Sequence, residues 1–171
     1  MTKEDLSINE YNPYYQQYIQ KAGDVSISVG LKDNGDATVL FLESIPEEKL
    51  ESRYQEGKWT IKEIIQHLID TERVFAYRAL CIARKDKTLF PGYDQDAYVV
   101  SCEANKRSMS SLMNEYKTVR LASIIMFESF SYGMLTRIGV ASNSHLSPRA
   151  VAFITIGHEN HHCEIIKERY L

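Results

Sequence analysis

Apolar residues recur at helical spacing in four long stretches of the chain, and turn-forming residues separate them. The first lies within Leu31 to Ser44, where Gly30 and Gly35 blur its start and Pro46 sets its limit. The second opens with Thr60-Ile61-Lys62-Glu63, a capping-box sequence, and Ile61, Ile64, Ile65, Leu68 and Phe75 carry the period to about Ala83. Past Phe90-Pro91-Gly92, a third stretch places Met109, Leu112, Met113, Tyr116, Val119, Met126, Phe127 and Phe130 on one face, with Gly133 or Gly139 expected to end it. The last begins at Ser147-Pro148, serine at the N-cap and proline at the first helical position, and runs almost to Leu171. A short helix from Pro13 to near Gly23 is also expected. Val25 to Val29 alternates like a strand, but no second strand is apparent to pair with it. The pattern predicts an all-α four-helix bundle.

Composition narrows the function classes. With 171 residues and no linker or repeat, residues 1–171 form one domain. The net charge of −3 and the absence of any basic run argue against nucleic acid as a partner. No apolar stretch reaches the roughly 20 residues of a membrane span, and the opening MTKEDLSINE lacks a signal-peptide core. Three dispersed cysteines, Cys81, Cys102 and Cys163, fit a reducing, cytoplasmic setting.

Histidine placement carries the chemistry. There are five, and three fall in Gly157-His158-Glu159-Asn160-His161-His162. At about 100° per residue, His158 and His162 share a line with Val151, Ile154 and Ile165, the buried face of the last helix, while His161 sits to one side. Two imidazoles at i and i+4 on one face can hold one metal ion. His67 lies at the border of the second helix's apolar stripe, with Thr71 one turn further on, and supplies a third ligand facing the pair. Hydrogen-bonded core histidines are the alternative. Three neutral imidazoles suit one divalent ion, zinc or nickel first, iron or manganese next. The string His158-Glu159-x-x-His162 also satisfies the zincin pattern, but Ile165 and Glu168 stand where a metzincin needs glycine and histidine. Glu159 is accordingly expected to face solvent, and Cys163 to be a half-buried thiol outside the ligand set.

Trp59-Thr60-Ile61-Lys62-Glu63-Ile64 leading to His67, then Asp70-Thr71-Glu72-Arg73 and Arg78, form one group of matching pieces. Phe90 to Asp96, Glu115 to Arg120, Gly157 to His162 and Glu168-Arg169-Tyr170 form the others. With these the chain resembles the DinB/YfiT-like superfamily over most of its length. The resemblance implies an up-down-down-up four-helix bundle, a metal site of His67, His158 and His162, and a homodimer. It also implies a metal-dependent enzyme acting on a small molecule, with thiol-dependent S-transfer using a low-molecular-weight thiol as the first expectation. A metal-dependent hydrolase, or a non-catalytic metal-binding bundle with a structural or regulatory role, is the alternative. No catalytic residue is identifiable. Candidates for the surrounding pocket are Thr71, Arg78, Tyr93, Asp96, Glu159 and His161, with Arg78 placed either to meet an anion or to form an ion pair, and Tyr93 and Asp96 in a loop beside the site.

Overall fold

Three of the four long helices start where a side chain caps them. The computed structural model describes residues 1–171. In chain order the elements are α1 (Gln16–Lys21), α2 (Ile27–Glu43), α3 (Ile61–Ala83), β1 (Leu89–Phe90), α4 (Gln95–Ser101), α5 (Met109–Glu128), α6 (Tyr132–Leu135), β2 (Gly139–Ala141), β3 (Ser144–Leu146) and α7 (Pro148–Arg169). At the head of α3 the Thr60 hydroxyl accepts from Glu63 N at 3.1 Å, and the Glu63 carboxylate accepts from Thr60 N at 2.7 Å. Ser108 and Ser147 accept from Ser111 N and Ala150 N at the heads of α5 and α7. These bonds satisfy donors that a helix start otherwise leaves open.

Helices α2 and α3 each pack on both α5 and α7, so α2 and α3 stand on one diagonal of the bundle. Contacts give the directions. Asn34 meets Glu159 and Thr38 meets Cys163, so α2 runs parallel to α7. Trp59 meets Tyr170 while His67 meets His158, so α3 runs antiparallel to α7. Arg107 reaches Gln66 and Glu115 reaches Arg73, so α5 follows α3. The order is up-down-down-up, which requires the long connection between α3 and α5 that carries β1 and α4.

The core has two apolar halves. One gathers Leu31, Phe75, Ala79, Ile82, Phe127, Val151, Phe153 and Ile154; the other gathers Leu42, Ile61, Ile65, Ile69, Leu112, Met113, Tyr116 and Ile166. Each buried Val, Leu, Ile, Phe or Met side chain among them contributes roughly 1.5–3 kcal/mol by leaving water. On α3, α5 and α7 the residues Glu72, Arg120 and Glu159 fall between these halves and form a buried polar layer. The histidines sit at the edge of that layer.

Three expectations from the sequence are corrected. Helix α2 begins at Ile27 with Ser26 at its N-cap, so Val25 to Val29 enters a helix and Gly30 and Gly35 lie within it. Gly35 is needed where it stands: a Cβ there would lie 3.0 Å from Arg120 Nη1, so the missing side chain makes room for the buried guanidinium. Helix α5 ends at Glu128, ahead of Gly133 and Gly139. A three-stranded sheet also exists, β1 parallel to β2 and β2 antiparallel to β3, with Phe90 opposite Ala141 and Gly139 opposite Leu146. Its hairpin turns at Ser142 and Asn143, both left-handed with φ of 52° and 59°. Strands of two and three residues are too short to show a period.

Candidate metal centre

His67 comes from the N-terminal third of α3, and His158 and His162 occupy successive turns of α7. Because α3 and α7 are antiparallel neighbours, the three rings converge. His158 Nε2 lies 3.1 Å from His67 Nε2 and 3.1 Å from His162 Nε2, and the three donor atoms all fall within 4.8 Å of one another. Two nitrogens bound to one zinc ion at about 2.05 Å and a tetrahedral angle lie roughly 3.3 Å apart, close to the spacing of the two pairs that His158 makes.

The rings are oriented from behind. Thr71 Oγ1 is 3.4 Å from His67 Nδ1 and 2.7 Å from the Tyr93 hydroxyl. With Nδ1–H donated to Thr71, the Nε2 lone pair of His67 is free to ligate. Trp59 covers His67 at 4.8 Å between ring centres and stacks on His162 at 6.4 Å, while Tyr18 meets His158 edge-on at 5.2 Å. Helix α1 can bring Tyr18 this close because residue 157 is glycine: a Cβ there would lie 1.7 Å from the Tyr18 carbonyl oxygen.

Burial holds the imidazoles neutral. It lowers His67 to about 4 and takes His158 and His162 well below the usual range, with repulsion between neighbouring rings adding to the effect. A ligand must be unprotonated, so this environment favours binding of a cation at neutral pH.

The sequence candidates divide between two hollows that reach the trio and the buried polar layer beside it. Asp96 and His161 line a cleft of about 750 Å³ whose wall includes His162, Trp59, Val99, Ile165 and Tyr170. Thr71, Arg78 and Tyr93 line a second hollow of about 140 Å³ that touches His158. Asp96 lies on α4, a helix absent from the sequence reading, and is exposed. Glu159 is the correction. It is 1% exposed and points away from the trio, accepting from Arg120 Nη1 and Nη2 at 3.1 Å each and from Tyr116 and Asn34. Arg120 also binds Glu72 from Nε and Nη2 at 3.0 Å and the Leu31 carbonyl at 3.1 Å. Glu159 is therefore a buried ion-pair partner, in contrast to the solvent-facing residue expected. Cys163 is buried and bonded to Thr38 at 3.8 Å, and burial raises its thiol to about 11.

Sequence reasoning missed the Glu72–Arg120–Glu159 layer. Its signal was present: Arg120 continues the spacing of Leu112, Met113 and Tyr116, and an arginine on an apolar stripe needs buried partners.

Comparison with known proteins agrees with this architecture. The family model described as the DinB superfamily matches residues 31–166. A protein of Oceanobacillus iheyensis with the provisional name of a metal-dependent hydrolase is 25% identical over 130 residues, covering 72% of each chain. The solved structure of YfiT from Bacillus subtilis, described as a probable metal-dependent hydrolase with an unusual four-helix bundle topology, superposes with a TM-score of 0.73. That match has 16% identity and covers 94% of this chain and 92% of the other, a likeness of fold.

Proposed function

The chain belongs to the DinB superfamily, and from that premise we propose that it is a metal-dependent hydrolase of small molecules, with one divalent ion held by His67, His158 and His162. The observation that carries the reading is the convergence of three burial-neutralised Nε2 atoms beside an open cleft. The donor set fits the ion: three nitrogens, no fourth protein ligand among them, and two of the three pairs at a distance suited to zinc. The names of the two similar proteins support the same class.

A bound divalent ion supplies Lewis acidity and lowers the pKa of a coordinated water towards 7. The chain's own residues do the rest. Neutral imidazoles leave the charge of the ion undiminished, and Thr71, itself bonded to Tyr93, offers His67 Nδ1 a hydrogen-bond partner on the side away from the ion. Trp59, Val99 and Ile165 give the cleft an apolar wall against which a substrate packs. Asp96 and His161 stand on that cleft as proton acceptors; burial lowers His161, which keeps it neutral and able to accept. Glu159, committed to Arg120, takes no part.

The test is hydrolysis of a panel of nitrophenyl esters and anilides by zinc-loaded protein, with chelator-treated protein and His162→Ala as controls. Metal-dependent cleavage without added thiol is expected. Acceleration only when a small thiol is present moves the assignment to S-transfer, and inactivity in both arms moves it to a non-catalytic metal-binding bundle. Pairing of two copies is a separate proposal, and a monomeric mass by light scattering would retire it.

A further inference from the structure

Arg78 is a buried cation for which the protein supplies no counter-charge. It is 3% exposed, and its hydrogen bonds all leave from one nitrogen, Nη2, to the Pro91 carbonyl at 2.6 Å and to Ser142 Oγ at 3.5 Å. A guanidinium has five N–H groups, and those on Nε and Nη1 find no acceptor in the protein. No buried side-chain nitrogen is sealed off without a partner, so the remaining donors reach open space. That space is the 140 Å³ hollow, where Arg78 stands with Tyr15, Tyr18, Phe75, Tyr93 and His158. No Asp or Glu lines it. Burial raises Tyr15, Tyr18 and Tyr93, so the phenols stay neutral and offer no compensation. Burying an unpaired charge is costly, and every other arginine of the buried layers has its carboxylates: Arg120 has Glu72 and Glu159, and Arg149 has Glu10. Arg78 stands apart from both.

We propose that Arg78 and the aromatic hollow around it form a subsite for the carboxylate of the substrate. The guanidinium fork matches a carboxylate in two parallel bonds. The guanidinium carbon lies over the Phe75 and Tyr93 rings, 5.5 and 5.9 Å from their centres, so aromatic surface flanks the anchoring group and lines the hollow with it. A pocket near 150 Å³ accommodates about one aromatic ring. The hollow touches His158 while the 750 Å³ cleft touches His162, so the two meet at the histidine trio. This inference rests on the hydrolase reading for its substrate: an ester or amide whose acyl part ends in a carboxylate held by Arg78, with the leaving group in the wider cleft.

The test separates the two readings. Zinc-loaded and chelator-treated protein are titrated calorimetrically with benzoate, neutral benzamide and inorganic phosphate, and elemental analysis reports the metal independently. Benzoate is expected to bind both forms, with benzamide and phosphate each weaker by about tenfold or more. Arg78→Met is expected to lose about tenfold or more in benzoate affinity at unchanged metal content, with Arg78→Lys between. Gln95→Glu, an exposed change on the rim of the hollow, weakens benzoate without touching the core. If Arg78→Met does not fold, Gln95→Glu and the benzoate-to-benzamide ratio still decide. Equal affinity for benzoate and benzamide, phosphate binding tighter than benzoate, or benzoate binding that needs zinc and survives Arg78→Met would each overturn the subsite. Absence of metal would overturn the hydrolase reading and leave the chelator-treated titration valid.

Discussion

Glu159→Ala probes the buried layer where sequence pattern and structure disagree. The carboxylate accepts from two Arg120 nitrogens, Tyr116 and Asn34. After truncation Arg120 keeps Glu72 on Nε and Nη2 and the Leu31 carbonyl on Nη1, so the guanidinium is not stranded. What is lost is the two charge-assisted bonds from Arg120, about 1.5–3 kcal/mol each, and the bond from Asn34, together with an orphaned, fully buried Tyr116 hydroxyl worth about 1–3 kcal/mol. Partial relaxation brings the expected loss to about 3–5 kcal/mol, the usual range for breaking a buried pair. Glu159→Gln keeps the volume and one acceptor and should cost about 1–2 kcal/mol. Urea denaturation monitored by circular dichroism reads both, with equal m-values required for comparison. The same two variants distinguish a structural glutamate from a zincin base, because Glu159→Gln should retain metal and most of any hydrolytic activity. A loss below about 1 kcal/mol in Glu159→Ala, or a hundredfold fall in kcat for a stably folded Glu159→Gln, would refute the reasoning.

Gly157→Ala should force α1 off α7, lowering stability by about 2–3 kcal/mol and Tm by roughly 5–10 °C in scanning calorimetry, and loosening Tyr18 from His158. Thr71→Val leaves His67 Nδ1 without its partner and should weaken zinc affinity about tenfold in a competition titration with a chromophoric chelator. In metal-free protein His67 is depressed to about 4 from its ordinary 6.5, so the unfolded chain takes up a proton that the fold excludes. Its contribution is complete above about pH 6.5 and is lost as pH falls towards 4, up to about 3 kcal/mol, and the difference in urea midpoint between wild type and His67→Phe at about pH 7 and 4.5 measures it.

Most of the bundle was legible because the caps and stripes of α3, α5 and α7 agree with their packing. The Thr60–Glu63 box and the Ser147-Pro148 start locate two helices to the residue. The start of α2 was obscured by glycines that serve close packing, Gly30 against Ile156 and Val25 and Gly35 against Arg120, a demand visible only once those side chains are placed. The trio was legible because i, i+4 spacing on a buried face leaves two imidazoles little choice of direction. Glu159 was not, since its neighbour relation to Arg120 and Glu72 joins three separate helices and leaves no local trace. Asp96 and Arg78 are intermediate: their residue types suggested chemistry, but only the path of the α3–α5 connection assigns them to different hollows.

The central claim is that three imidazoles hold one divalent ion, and metal stoichiometry tests it most directly. Protein purified without chelator, alongside His67→Ala, His158→Ala and His162→Ala, is analysed for elemental content after exhaustive dialysis. The geometry predicts about one equivalent of divalent metal per wild-type chain, with each single variant losing most of it while remaining helical by circular dichroism. Equal metal content in wild type and all three folded variants would contradict the account.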